Sequence, residues 1–259
     1  MKDTSLTVLL SLLCATASSV SGCNSSSPAL TEKVADGIYR IRASRSNVYL
    51  LAGDSLVLID TGMKGDGKAI LQAIESIGRK PREVSYILIT HAHIDHTGSL
   101  AFLKQATGAK VVASAQETEY VAGREKTWTM EREGFGGKIF KLMLYFMETF
   151  FFKYEPATVD LPCKDGDVLE CFGTIYILDT PGHSPGSVSY YLPEKGIIFA
   201  GDALSGVPEP KLPPRAGCAD YQQALQSVKK IAGLIFEKCC FGHGNPLKTR
   251  ADASIRQLI

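Results

Sequence analysis

The sequence lacks an excess of charge of either sign, and it lacks the closely spaced cysteine pairs of a zinc ribbon. Lys and Arg number 28 against 27 for Asp and Glu, so no broad basic surface is offered to nucleic acid or an anionic membrane. The seven cysteines show neither Cys-x-x-Cys spacing nor a paired framework. These absences argue against a nucleic-acid partner and favour a small, mostly uncharged substrate.

The sequence is also too short to form two domains that each have a large hydrophobic core. It has 259 residues, of which 45% are hydrophobic, and this content suits one large globular domain. We therefore predict a single catalytic domain over residues 34–259, with an insertion at about residues 115–157.

The first apolar run is too short to cross a membrane. It extends from Leu6 to about Ala17, whereas a spanning helix needs roughly 20 residues. Small residues and Cys23 follow it, which is typical of a secretory signal and resembles a bacterial lipoprotein signal, in which such a cysteine is lipidated. We predict a signal peptide over residues 1–23 and a polar tether over residues 24–33, as in an exported cell-envelope lipoprotein.

The weak charge at the start of the chain leaves a second hypothesis open. Lys2 is followed by Asp3, so the positive charge that a secretory signal carries here is largely offset. The alternative is a cytoplasmic protein with a frayed N-terminal tail. Mass spectrometry of the mature N-terminus distinguishes the two, because a processed chain no longer begins with Met1.

The cysteines downstream of this segment are given no functional role. Cys239 and Cys240 follow the apolar residues 234–236, so we predict that they are buried small hydrophobic residues. A redox pair is the alternative for these adjacent thiols.

Short apolar strands alternate with turns and helices along the predicted domain. Strands are predicted at Ile38–Ile41, Asn47–Leu51, Ser55–Ile59, Tyr86–Ile89, Val111–Ala113, Thr174–Leu178, Ser187–Leu192, Gly196–Ala200 and Leu234–Cys240. Helices are predicted around Ile70–Ile77, Leu100–Gln105 and Tyr221–Ile231, with a short one at the C-terminus. The alternation predicts an α/β fold, an αββα four-layer sandwich in which two mixed β-sheets pack face to face with helices outside.

One segment of the insertion is apolar on almost every side of a helix. It covers Ile139–Phe152, and something must cover it in turn. Burial against the domain is one hypothesis, and a substrate lid, a dimer contact and a membrane-facing patch are the others. A lid would suit an apolar or acyl-chain substrate.

Three histidines and an aspartate follow the strand that ends at Ile89. In an extended loop, residues two apart project to the same side, so His91 and His93 can bind one metal ion. Asp95 and His96 can then turn toward a second ion. One loop can therefore hold two ions.

The remaining two histidines and one aspartate also follow apolar strands. Glycine and proline flank His183 and His243, which fixes the backbone and leaves each imidazole exposed. Asp202 ends an apolar run, where an isolated charge would be costly, and a position between two cations removes that cost. All five histidines thus lie in strand-end loops, which predicts a binuclear metal site.

The His-x-His-x-Asp-His run, the later glycine-flanked histidine, the Gly-Asp at a strand end and the final Gly-His resemble the metallo-β-lactamase-fold hydrolases. The resemblance extends from about Val34 to the C-terminus. The ligand sets that it implies are His91, His93 and His183 for the first metal, and Asp95, His96 and His243 for the second, with Asp202 bridging both. Asp60 matches the family's buried aspartate that orients the loop histidines, with a simple turn aspartate as the alternative.

The resemblance implies a binuclear zinc-dependent hydrolase with two Zn²⁺ per chain, a site that also suits Fe or Mn. Two zinc ions lower the pKa of a shared water, and the metal-bridging hydroxide then cleaves an ester, thioester or lactone. Asp95 is the catalytic candidate that accepts or relays the proton. The expected partner is a small-molecule acyl substrate, with no nucleic acid and with Cys23 as a membrane tether.

Departures from individual branches of the family leave several substrates open. The β-lactam-hydrolysing branches typically carry cysteine or serine where Asp202 stands, so the aspartate disfavours β-lactam hydrolysis, which stays an alternative. Glyoxalase II adds a C-terminal helical region that binds glutathione. Few residues follow His243 here, which disfavours a glutathione thioester as the main substrate. Lactonases usually place a tyrosine shortly after the bridging aspartate, where this chain has Ala203 and Leu204. A mononuclear iron persulfide dioxygenase shares much of the motif and is a further alternative.

Overall fold

A computed structural model describes residues 31–125 and 155–259. The predicted signal peptide with Cys23, most of the predicted tether and the apolar segment Ile139–Phe152 lie outside the described residues, so the predictions made for them stay predictions. Within the described ranges, no helix has both the length and the apolar composition needed to cross a membrane.

Twelve strands form two sheets in the described part of the chain. The strands are β1 (Thr31–Ala35), β2 (Ile38–Arg42), β3 (Asn47–Ala52), β4 (Leu56–Ile59), β5 (Val84–Leu88), β6 (Lys110–Ser114), β7 (Leu161–Cys163), β8 (Val168–Glu170), β9 (Thr174–Asp179), β10 (Val188–Leu192), β11 (Ile197–Gly201) and β12 (Lys238–Phe241). The first sheet has the order β1-β2-β3-β4-β5-β6-β7 and the second the order β12-β11-β10-β9-β8. Both are mixed, because β4 to β7 and the pair β11 and β12 run parallel while the other neighbours are antiparallel.

Six α-helices accompany the strands in the same residues. They are α1 (Gly67–Ser76), α2 (Ile94–Thr97), α3 (Leu100–Thr107), α4 (Thr118–Val121), α5 (Tyr221–Ala232) and α6 (Ala251–Arg256). Short 3₁₀ turns cover Pro81–Glu83, Ala115–Glu117, Pro193–Lys195 and Arg215–Gly217. The predicted end of α1 agrees with the structure, since Gly78 takes a φ of 78° there, a conformation that glycine adopts at no steric cost.

Apolar side chains pack at three interfaces between four layers, which confirms the predicted four-layer sandwich. Between the sheets, Tyr49 of β3 meets Phe199 of β11 edge to face, with ring centroids 5.2 Å apart. On the outside of the first sheet, α1 and α3 pack against its apolar face. On the outside of the second sheet, α5 and α6 do the same. Each sheet is therefore buried on both faces, which explains why β4 reads as an unbroken apolar run.

The strand predicted at Leu234–Cys240 is wrong at its start, because β12 begins only at Lys238. The backbone N–H of Leu234 donates to the carbonyl of Ile231, which continues the turn at the end of α5. Ile235 is 80% exposed, whereas Phe236 is buried. The apolar run is thus a turn from which only the Phe236 side chain enters the core. Composition alone does not distinguish such a turn from a strand.

The edge strands β1, β7 and β8 were missed because they are short and partly exposed and carry no clear alternation. β1 begins at Thr31, inside the segment predicted as a tether, and it pairs with β2. The prediction for the adjacent cysteines is confirmed, since Cys239 and Cys240 are free thiols and fully buried.

Candidate metal centre

All the predicted ligands lie together at one end of the two sheets, in loops that follow strands. The first sheet contributes the loop after β5, which carries His91, His93, Asp95 and His96. The second sheet contributes His183 between β9 and β10, Asp202 after β11 and His243 after β12. Loops from both sheets therefore meet at this end of the sandwich.

Three imidazoles form the first group of candidate ligands. The Nε2 atom of His91 lies 2.9 Å from Nδ1 of His93, and Nε2 of His183 lies 2.9 Å from the same Nδ1 atom. The ring nitrogens of all three therefore converge on one point, as a metal ion with nitrogen ligands requires.

Asp95, His96 and His243 form the second group. The Nε2 atom of His243 is 3.4 Å from Nε2 of His96 and 3.3 Å from Oδ2 of Asp95. The Nε2 atom of His96 is 3.8 Å from the same carboxylate oxygen. This group offers two nitrogens and one oxygen at a second point.

Asp202 lies between the two groups. Its Oδ2 atom is 3.4 Å from Nε2 of His183 and 3.2 Å from Nε2 of His243, so one oxygen faces both groups. Its Oδ1 atom is buried and has no hydrogen-bond partner among the described residues. A buried carboxylate oxygen without a donor is costly, and a cation at this position would remove the cost.

The loop after β5 is extended as far as His93, and the chain then turns. His93 has φ −61° and ψ 146°, and its carbonyl then accepts hydrogen bonds from the backbone N–H groups of His96 and Thr97 at 2.9 and 3.0 Å. The helical turn α2 therefore aims Asp95 and His96 at the second group. Gly98 ends this turn against Lys64, where a Cβ would collide with the backbone nitrogen of that residue.

The expectation that His183 is exposed is wrong, because α5 covers its loop. Gly182 lies so close to Ala224 of α5 that a Cβ would collide with the helix backbone. The hydroxyl of Ser227, also on α5, donates to the carbonyl of Pro181 at 2.6 Å. The side chain of His183 is consequently 9% exposed, against 31% for that of His243.

Asp60 contacts one histidine directly and a second through Thr90. The Nδ1 atom of His96 donates to Oδ2 of Asp60 at 2.8 Å. The hydroxyl of Thr90 donates to Oδ2 of Asp60 at 2.8 Å and therefore accepts from Nδ1 of His91, 3.0 Å away. With Nδ1 protonated, the Nε2 atoms of both rings are free to bind a cation. Asp60 itself is buried and takes a left-handed φ of 60°.

The aspartates and histidines of the centre shift one another's pKa values. Burial opposes protonation of His96 and His243, but the neighbouring aspartates outweigh it and raise their pKa values to about 9 and about 11. Burial would also raise the pKa values of Asp95 and Asp202, yet the facing histidines hold both well below their usual range. The aspartates are therefore ionised, and a metal ion bound here would displace the protons that they hold on His96 and His243.

The first sheet holds the loop after β12 in place through three side chains. The Nδ2 atom of Asn47 donates to the carbonyls of Phe241 and Gly244 at 2.9 and 2.7 Å. The hydroxyl of Tyr49 donates to the Phe241 carbonyl at 2.7 Å, and Nη1 of Arg40 donates to the Gly244 carbonyl at 2.9 Å. The position of the last candidate ligand is thus set by the opposite sheet.

Glu117 is a buried charged residue at the centre that the sequence analysis missed. Burial raises the pKa of its carboxyl group, while hydrogen bonds from Ser184, Ala92 and Gly186 lower it. It follows β6, which runs parallel to β5 in the first sheet. Because the carboxyl ends of parallel neighbours meet at one edge, its place after β6 was the available signal.

Comparison with known proteins agrees with the fold. Residues 41–243 match the family model of the metallo-beta-lactamase superfamily. The chain is 27% identical to a probable metallo-hydrolase, YflN, of Bacillus subtilis, over 83% of this chain and 86% of that protein. It is 32% identical to a hydroxyacylglutathione hydrolase of Methylobacillus flagellatus, over 66% of this chain and 51% of that protein. A crystal structure of a metallo-beta-lactamase family protein from Thermus thermophilus matches with a TM-score of 0.66 and 27% identity, covering 87% of this chain and 78% of that one.

Proposed function

The chain belongs to the metallo-β-lactamase superfamily, and from that premise we propose that it is a binuclear zinc-dependent hydrolase of small acyl substrates. It is a metal-binding hydrolytic enzyme, as the metallo-hydrolases among its relatives are. The identity and number of the metal ions and the class of bond cleaved are the substance of the proposal.

The observation that carries the proposal is the position of Asp202 between two complete groups of donor atoms. His91, His93 and His183 would hold one ion, and Asp95, His96 and His243 the other. The Oδ1 atom of Asp202 has no hydrogen-bond partner among the described residues and lies 3.7 Å from Nε2 of His96, so a cation between these two atoms would satisfy both. Imidazole and carboxylate donors in this ratio suit Zn²⁺, and they also accept Fe or Mn.

Metal ions held here would supply Lewis-acid activation of a water molecule and of an acyl carbonyl. Residues around the candidate ligands set the protonation and orientation of the donor atoms. Asp60 and Thr90 keep the Nδ1 protons on His96 and His91, so that the opposite nitrogens carry lone pairs. The side chain of Asp95 is 23% exposed against 12% for that of Asp202. Asp95 is thus the carboxylate better placed to accept a proton from an incoming water, at Oδ1, because Oδ2 is the atom that faces the second group.

Acyl compounds are the substrate class that the relatives support. One relative is named as a hydroxyacylglutathione hydrolase, and the family resemblance implies that an aspartate at position 202 is typical of the ester-cleaving and thioester-cleaving branches rather than of the β-lactamases. An ester, a thioester or a lactone is therefore the bond we assign to this centre.

The decisive experiment combines metal analysis with a substrate panel. The purified protein, loaded with Zn²⁺, is assayed on an aryl ester, an acyl thioester, an acyl-homoserine lactone and a nitrocefin-type β-lactam, beside His183→Ala as the metal-site variant. We expect two equivalents of zinc, turnover of at least one acyl substrate, and loss of that turnover in the variant. Two equivalents of zinc with no turnover of any acyl substrate would overturn the proposal, and oxygen-dependent turnover with iron would replace it by a dioxygenase.

A further inference from the structure

The carboxylate of Glu117 joins two loops that come from different sheets. Its Oε2 atom accepts the backbone N–H of Ala92 at 2.9 Å, in the loop after β5. Its Oε1 atom accepts the hydroxyl of Ser184 at 2.6 Å and the backbone N–H of Gly186 at 2.9 Å, in the loop between β9 and β10. Glu117 is 1% exposed, so these three donors are what satisfies its charge.

The donors are adjacent to candidate metal ligands. Ala92 stands between His91 and His93, and Ser184 directly follows His183. These three histidines are the first candidate metal group, and they come from the same two loops. A carboxylate that fixes both backbones therefore fixes how the three imidazoles approach one another.

The surroundings of Glu117 are shaped to admit its side chain. A Cβ at Gly186 would lie 2.8 Å from Cγ and 2.9 Å from Oε1 of Glu117. Only a residue without a side chain leaves room for the carboxylate at this distance from the loop backbone. Close approach of backbone to another group is a position that glycine fills.

We propose that Glu117 is a positioning residue for the metal centre, which joins the histidine loops of the two sheets into one site for the first metal ion. The proposal rests on the proposed function, since it presupposes an ion held by His91, His93 and His183. Three N–H and O–H donors converge on the carboxylate from two sides, so both of its oxygens must act as acceptors. An amide of the same shape would turn its own NH₂ group toward one of these donors and leave that donor unsatisfied.

The test compares Zn²⁺ affinity in matched variants. Wild type, Glu117→Gln, Ser184→Ala and the control Asp160→Asn are stripped of metal, and Zn²⁺ binding is measured by competition with a chromophoric chelator. Asp160 also accepts a backbone N–H, that of Val111 at 2.8 Å, but at the opposite end of β6. We expect a loss of roughly 10- to 100-fold in affinity for Glu117→Gln, as for other groups that orient ligands, a smaller loss for Ser184→Ala, and no loss for Asp160→Asn.

A spectroscopic measurement separates positioning from mere stability. Co²⁺ added to the stripped proteins reports ligand geometry through its visible absorption, and we expect the Glu117→Gln spectrum to differ from that of wild type. Equal Zn²⁺ affinity and equal Co²⁺ spectra would overturn the role of Glu117 alone. A wild-type chain that binds neither ion would overturn the proposed function as well. If Glu117→Gln does not fold, Ser184→Ala decides the matter, and unchanged affinity in that variant counts against the proposal.

Discussion

Thr90 transmits the charge of Asp60 to a histidine that Asp60 does not touch. The threonine hydroxyl has one proton, which it donates to Asp60 at 2.8 Å, so it faces Nδ1 of His91 as an acceptor at 3.0 Å. Asp60 contacts His96 directly. One carboxylate thereby fixes the tautomer of a ligand in each candidate metal group.

Replacing the Thr90 hydroxyl should therefore affect one metal group more than the other. Thr90→Val keeps the shape of the side chain but leaves the His91 Nδ1–H without its acceptor, and we expect Zn²⁺ binding at the first group to weaken roughly 10- to 100-fold. Thr90→Ser retains the hydroxyl and serves as the control. The Zn²⁺ affinity of both variants is measured by competition with a chelator. Equal affinities for Thr90→Val and Thr90→Ser would show that the Thr90 hydroxyl does not link Asp60 to His91.

The proton-accepting role of Asp95 can be tested separately from its role as a ligand. Asp95→Asn removes the negative charge while preserving size, and a general base typically contributes 10²- to 10⁴-fold to the rate. We expect a loss of about that order in kcat on the acyl substrate at saturating Zn²⁺. Asp54→Asn, in an exposed turn, is the control. An Asp95→Asn variant with full metal content and full turnover would remove the role.

At the scale of elements, the loop after β12 depends on a strand from the opposite sheet. The side chain of Asn47 in β3 donates to Phe241, the last residue of β12, and to Gly244 in the loop, and its backbone N–H donates a third hydrogen bond to Gly242 at 2.7 Å. Asn47 is buried, so water does not replace lost bonds there. The strand thus supports the candidate ligand His243 from outside its own sheet.

Asn47→Ala should weaken both the fold and the second metal group. Loss of two buried hydrogen bonds is expected to lower the free energy of unfolding by about 1–3 kcal/mol, measured by denaturant unfolding of the metal-free protein. Zn²⁺ affinity should fall as well, because His243 is held less firmly. Ser55→Ala, which removes a part-buried hydroxyl pair with Ser85 away from the centre, is the control. An unchanged free energy of unfolding and an unchanged Zn²⁺ affinity would show that Asn47 does not hold the loop that carries His243.

The same elements show what a sequence can and cannot predict. The ligand loops were predictable because histidines and aspartates directly follow apolar strands, where side chains gather at a sheet edge. The helical turn α2 was not, since Ile94–Thr97 is too short to show helical periodicity. Glu117 was not, because a lone carboxylate has no motif and its partners are three backbone or hydroxyl groups far along the chain. The burial of His183 depends on α5, which no local pattern reveals.

For the whole molecule, the metal centre spans the interface between the two sheets. The first candidate group takes His91 and His93 from the first sheet and His183 from the second. The second group takes Asp95 and His96 from the first sheet and His243 from the second. Each ion would therefore be bound by ligands from both sheets. Besides its part in catalysis, the metal would cross-link the two sheets at one end of the sandwich.

Removal of metal should consequently lower the stability of the entire domain. A ligand that binds only the folded state stabilises it by about 2.7 kcal/mol at a concentration of 100 times its Kd, and for a domain of this size each kcal/mol corresponds to roughly 2–4 °C in Tm. We expect a strong chelator to lower the Tm by roughly 5–10 °C and added Zn²⁺ to restore it, as followed by differential scanning calorimetry. His183→Ala removes the second-sheet histidine from the first group, so its Tm should respond to the chelator less than that of wild type. A wild-type Tm that is indifferent to chelator and to Zn²⁺ would show that the centre does not join the sheets through metal.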